Sequence, residues 1–219
     1  MRKRVGLALA MLLAVMPMSA AARAESMSAS PLENKEPGKR ETSVGSLVAD
    51  AFRAAAHTDI AFVAAGDLKI SAEPVAAGKV RSSDIAGLLA YPADRVVTLA
   101  LDGRTVREAL EWSVSNYPRF SVTFLQVSGV KFVFDPARPV GERVTSVTIG
   151  ATPIANEQAY TVAVASSLAD GALGYWKVWS KRNVVARSGS SATADAIDSY
   201  LKANPKLDYR ALNRIALAK

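Results

Sequence analysis

A chain of 219 residues, half of them hydrophobic and none of them cysteine, is long enough to bury one core and cannot rest on disulfides. Its formal net charge of +7 is concentrated at the start, where Arg2, Lys3, Arg4 and Arg23 precede any acidic residue; the rest of the chain carries +3 with no basic block, which argues against nucleic-acid binding. A single histidine excludes a two-metal hydrolytic centre built on several imidazoles and most Ser-His-Asp arrangements.

The first 24 residues have the form of a secretory leader. Arg2-Lys3-Arg4 supplies the charged start, Val5 to Val15 the apolar run, and Ala22-Arg23-Ala24 the small-x-small site for a cut after Ala24. The run is short of the ~20 residues that span a bilayer. The expectation is therefore a periplasmic or secreted protein with no stable membrane anchor after cleavage; an uncleaved anchor is the alternative. Residues 25–40 are polar and contain Pro31 and Pro37, the pattern of a flexible linker ahead of one domain over residues 41–219.

That domain opens with a helix capped by Thr42 or Ser43, with Val44, Leu47, Val48, Ala51 and Ala55 on its apolar face. His57 falls near its end, where a cation meets the helix dipole favourably. A buried strand, Asp59 to Val63, runs into the loop Ala64-Ala65-Gly66-Asp67-Leu68-Lys69. Ser82 or Ser83 caps a short helix reaching Leu89. Arg95 to Leu101 is a strand closed by an Asp102-Gly103 turn, and Thr105 with Glu108 forms a capping box for a helix to about Asn116.

Phe124 to Pro136, FLQVSGVKFVFDP, forms the centre of the chain. Val130, Phe132 and Phe134 alternate as one face of a strand, Ser128-Gly129 interrupts the pattern as a bulge or close backbone approach would, and Asp135-Pro136 stops it. Arg143 to Gly150 reads as the antiparallel partner. Strand Ala159 to Ala165, a glycine turn Gly171 to Gly174, the aromatics Tyr175, Trp176 and Trp179, a strand near Val184 to Arg187, a helix Thr193 to Ala203 and a docked tail Leu207 to Leu217 complete the chain. The pattern predicts an α+β fold: a mixed sheet with hairpins, covered by helices. No Gly-x-Ser-x-Gly elbow, P-loop or Gly-x-Gly-x-x-Gly turn is present.

Glu41-Thr42-Ser43-Val44-Gly45 with Asp50-Ala51, then Gln126-Val127-Ser128-Gly129 and its aromatic strand, then Arg143-Val144-Thr145-Ser146-Val147, together resemble the C-terminal domain of the 5′-nucleotidase family. The resemblance runs from Glu41 to about Arg214. It implies a nucleoside-binding domain whose metals and hydrolysis belong to a separate N-terminal domain, so neither hydrolase activity nor a cofactor carries over. The ligand-binding candidates it points to are Gly66, Asp67, Lys69, Tyr91, Asp94 and Tyr175. They depart from the family pattern. Asn-Gly-Gly-Gly-Ile-Arg becomes Ala64 to Lys69, with the amide lost, a lysine for the two-pronged arginine, and Asp67 added. Pro-Phe-Gly-Asn becomes Tyr91-Pro92-Ala93-Asp94. Near the end, the second stacking ring is replaced by Ser167 and an aspartate by Leu173, while Tyr175 remains.

One cation facing two carboxylates implies a neutral nucleoside or sugar ligand rather than a nucleotide. The expected function is an exported, non-catalytic module that binds a small ligand or a partner protein. The alternative is the substrate-binding subunit of a split nucleotide hydrolase, working with a separate metallophosphoesterase chain.

Overall fold

The computed structural model describes residues 25–186, 191–210 and 213–218. The leader and Arg187, expected as the end of a strand, lie outside the described residues. Along the chain run β1 (Glu25–Ser28), β2 (Leu32–Asn34), α1 (Ser43–Ala56), β3 (Ile60–Ala64), β4 (Ser71–Val75), β5 (Gly78–Arg81), α2 (Ser82–Ala86), β6 (Val96–Asp102), α3 (Gly103–Val114), β7 (Leu125–Ser128), β8 (Lys131–Phe134), β9 (Val144–Ile149), β10 (Thr152–Pro153), β11 (Ala159–Ala165), α4 (Ser166–Ala169), β12 (Val184–Ala186), α5 (Thr193–Ala203), β13 (Lys206–Leu207) and β14 (Ile215–Leu217).

A five-stranded sheet, order β12-β6-β11-β3-β7, divides the core in two. β3 is buried throughout, and its side chains alternate between the two sides as the pleat requires. Ile60 and Phe62 pack with α3 residues Val106 and Leu110 and with Phe132 of β8. Ala61 and Val63 pack with α1 residues Leu47, Val48 and Phe52 and with Ile197 of α5. β3 pairs parallel with β11, and β11 antiparallel with β6, so the sheet is mixed, as the sequence predicts. A second sheet, β10-β9-β8-β14, supplies Phe132, Phe134 and Val147 to the first side. Among the described residues no helix is long and apolar enough to cross a membrane.

The helix starts reflect local chemistry. Thr42 caps α1 by accepting the Gly45 N–H at 3.1 Å, and α1 ends at His57 in a left-handed conformation. α3 starts earlier than the capping-box reading places it. Asp102 accepts the Thr105 N–H at 2.8 Å, so it is the cap and Gly103 already belongs to the helix. α2 begins with no side-chain cap from Ser82 or Ser83; Asp84 accepts the Arg81 N–H at 2.8 Å and the α-helix ends at Ala86, short of Leu89.

Residues 25–40 are not a flexible tether. β1 pairs with β5 and β13, and β2 pairs with β4. Leu32 and Asn34 are buried. The buried polar atoms here are satisfied: Ser26 donates to Leu201 O at 2.9 Å and Asn34 to Lys69 O at 2.8 Å. Polar composition concealed a short strand of alternating burial whose inward residues are small or hydrogen-bonded.

Gly129 is the corner at which the chain leaves one sheet for the other, since β7 pairs with β3 and β8 pairs with β9 and β14. Its φ is +76°, and a Cβ there would lie 2.0 Å from the carbonyl oxygen of Asp59. Of the two readings of the interrupted pattern, the close backbone approach is the one realised. Gly129→Ala should therefore lower the free energy of unfolding by about 2 kcal/mol or more, strain and clash together. Gly141→Ala, at φ +96° but with nothing within 4 Å, should cost about 1 kcal/mol. Equal midpoints for the two variants in urea titrations would refute the contact.

Candidate functional site

Three segments converge beyond the ends of the central strands. The first follows β3: a single 3₁₀ turn, Ala65–Asp67, docked by the Ala65 N–H on Phe124 O at 2.8 Å and the Gly66 N–H on Val122 O at 2.9 Å. The second, residues 88–94, is joined to it. Lys69 N–H donates to Leu88 O and Ala90 N–H to Asp67 O, both at 2.8 Å. The third is the start of α4, at the end of β11.

Asp94 ties the second segment to the third. Its Oδ1 accepts the Ser166 hydroxyl and the Arg95 N–H, and its Oδ2 accepts the Ser167 N–H at 3.1 Å. Burial works to raise its pKa, but these hydrogen bonds outweigh it, and the carboxyl is held below the usual carboxylate range. Asp67 shows the opposite balance. Burial is the main cause that raises its pKa to about 6, and the nearby Asp94 charge adds to this, against one hydrogen bond from Ala64 N–H at 3.3 Å. Two neighbouring carboxyl groups are thus pushed apart, one ionised and one protonated in mildly acidic solution.

A groove of about 590 Å³ opens here, lined by Ala90 to Asp94 with Ser166, Ser167 and Asp170. The ring of Tyr91 is 62% exposed, so a face is open to a planar ligand. Asp94 lines this groove and Asp67 lies near enough to feel its charge, whereas Gly66, in the same turn as Asp67, packs against Leu173 and Val122. Lys69 follows the same loop, but its ammonium donates to Gly87 O, the C-cap of α2, at 3.1 Å. Tyr175 does not line the groove, although its hydroxyl is near enough to Asp67 to feel that charge. It is fully buried, its hydroxyl donates to Thr123 O at 2.8 Å, and its ring stacks on Trp179 at 4.6 Å between centroids. That tyrosine is core, because an aromatic pair and a satisfied hydroxyl hold it more favourably than exposure would. Ser166 and Asp170 belong to the groove and were not among the candidates. Their signal was present: residues directly after a buried strand face the same end as the loops beside it.

The sequence pattern described as "5′-nucleotidase, C-terminal domain" matches residues 20–180. The chain belongs to the 5′-nucleotidase C-terminal-domain family. It is 28% identical over 195 residues to an apyrase of Aedes albopictus, covering 82% of this chain and 33% of that protein. A snake venom 5′-nucleotidase of Naja atra is 31% identical over 112 residues, covering 48% of this chain and 21% of the relative. The crystal structure of a 5′-nucleotidase precursor from Thermus thermophilus superposes with a TM-score of 0.77 at 25% identity, over 90% of this chain and 40% of that one. The chain therefore spans about a third of the length of this curated relative.

The opposed carboxyls give the domain a defined pH response. Asp67 is bound to its proton more tightly when folded than its ordinary value of 3.8 allows when unfolded. Between pH 3.8 and about 6 the folded state holds the extra proton, so Asp67 makes stability fall as pH rises across that window. Asp67→Asn should remove this fall and raise stability at pH 7 by up to about 3 kcal/mol. Thermal midpoints of both proteins from pH 4 to 8 check it, and parallel curves would show that the carboxyl titrates normally.

Proposed function

We propose that this domain is an exported, non-catalytic binding module whose groove takes a neutral nucleoside or sugar. The observation that carries the reading is the composition of the groove. Its charged lining residues are the aspartates Asp94 and Asp170, its exposed ring is Tyr91, and the neighbouring cation Lys69 is engaged on the carbonyl of Gly87. A base stacked on one ring gains about 1 to 3 kcal/mol. A phosphate brought beside the Asp94 carboxylate loses about 1 kcal/mol or more. The leader-like start of the sequence and a relative found in venom support export.

A second reading is favoured by the coverage of the relatives. The chain matches 33% of the Aedes albopictus apyrase and 40% of the Thermus thermophilus chain, which leaves room in each for a further domain. In that reading this domain is the substrate-binding subunit of a split nucleotide hydrolase, with a separate metallophosphoesterase chain as its partner.

Calorimetric titration distinguishes the ligand classes. Adenosine should bind about fivefold or more tightly than AMP, and Tyr91→Ala should abolish most of the adenosine heat. AMP binding more tightly, or binding indifferent to Tyr91, would refute the groove as the nucleoside site. The purified chain alone should release no phosphate from AMP or p-nitrophenyl phosphate, with or without Mn²⁺, Mg²⁺ or Zn²⁺, because one histidine is too few for a dimetal centre of the usual composition. Metal-dependent turnover that survives repurification and disappears in His57→Ala would overturn the non-catalytic reading.

A further inference from the structure

A second concavity, of about 320 Å³, lies between α3 and the segment after the glycine turn. Trp112 forms its wall. The indole N–H of that residue is already committed to Leu173 O at 3.1 Å, so the ring contributes apolar surface to the groove. Lys177 reaches in from the other side, its ammonium 4.5 Å from the Trp112 ring centroid and 5.5 Å from that of Trp176. Trp176 is 68% exposed, a value that only a surface ring with an open face attains. Two indoles are thus gathered about one ammonium at the surface, where cation–π attraction fixes their relative placement.

The polar groups of the groove differ in how far they are already used. Glu111 is spent on structure: its carboxylate accepts the Arg143 N–H at 3.0 Å and the Val144 N–H at 2.6 Å. Arg143 is likewise spent, its Nη1 donating to Val114 O, Ser115 O and Tyr117 O. Ser115 is spent as well, its hydroxyl donating to Trp112 O at 2.8 Å, so Glu108 and Lys177, both exposed, remain at the rim as one acceptor and one donor of opposite charge.

We infer that the groove between Trp112, Lys177 and Glu108, with Trp176 at its edge, is a saccharide-binding site separate from the Tyr91 groove. A pyranose has a flat apolar C–H face and an edge of hydroxyls that both donate and accept. The exposed indole of Trp176 at the edge, with the half-buried Trp112 ring in the wall beside a carboxylate and an ammonium, matches both properties at once. A phosphate or other anion meets Glu108 and Glu111, and an organic cation meets Lys177, so a neutral polyol is the class that the charges leave. The volume is at the small end of the range for ligand pockets, as a short saccharide requires and an extended protein partner does not.

The chain has three tryptophans, and two of them, Trp112 and Trp176, border this groove, so intrinsic fluorescence reads it directly. Titrating the protein with glucose, N-acetylglucosamine and cellobiose should give a saturable change in emission for at least one of them. Trp176→Ala and Lys177→Ala should each weaken that binding about tenfold or more without lowering the thermal midpoint, since both side chains are exposed. Tyr91→Ala should leave it intact. Absence of a saturable response to all three sugars, a response that survives both substitutions, or displacement of the sugar by adenosine would overturn the assignment.

Discussion

Gln126 is fully buried, and its amide serves three backbone groups from a distant part of the chain. Its oxygen accepts the Thr42 N–H at 2.8 Å, and its nitrogen donates to Pro37 O at 2.9 Å and Arg40 O at 2.8 Å. A buried amide left unpaired costs about 1 to 3 kcal/mol, so the side chain forces these groups into a single arrangement. Through it β7, the residues ahead of α1 and the cap of α1 become one body. Gly45 permits the approach, because a Cβ there would meet the glutamine side chain at 2.4 Å. The candidate site inherits this rigidity: β7 flanks β3, and β3 runs directly into the loop carrying Gly66 and Asp67.

A second polar knot fixes the other end of the chain. Arg214 grips Asp50 with two donors, at 2.8 and 2.9 Å, and also donates to Val127 O. Tyr209 donates to the same carboxylate at 2.9 Å, and Ser128 donates to it from β7. Burial and the Asp50 charge raise the Tyr209 pKa, so its hydroxyl stays a donor. Paired charges of this kind contribute little net stability when complete, yet losing one partner strands the other. Their effect is to fix where the tail runs: β14 then adds to β8.

Much of this fold was legible from periodicity. The faces of α1 and α3, the strand Ala159–Ala165 and the helix Thr193–Ala203 follow from spacing alone, because a buried stripe leaves a regular mark. The β1 and β2 strands left no such mark. Ser26, Ser28 and Asn34 are buried through hydrogen bonds that composition does not record, those of Ser26 and Asn34 to partners far along the chain. The site divides on the same ground. The loops carrying Asp67 and Asp94 could be found by resemblance to the 5′-nucleotidase C-terminal domain. The burial of Tyr175 could not, since a ring after a glycine turn reads alike whether it stacks on a ligand or on Trp179. Lys69 likewise reads as a free cation until its carbonyl partner is seen.

The pairing of β1 with both β5 and β13 bears on how this domain can be moved between proteins. The family match covers residues 20–180, but β13 and Arg214, which help to close the structure, lie beyond that stretch. Starting the chain at residue 41 would strip a partner from β5 and uncover the side of α5 that Ser26 holds at Leu201, and ending it at residue 180 would leave Asp50 without its arginine. The domain is portable only whole. A fusion partner added ahead of it adjoins a working strand rather than a spacer, and a linker has to be supplied before residue 25 rather than borrowed from the residues after it.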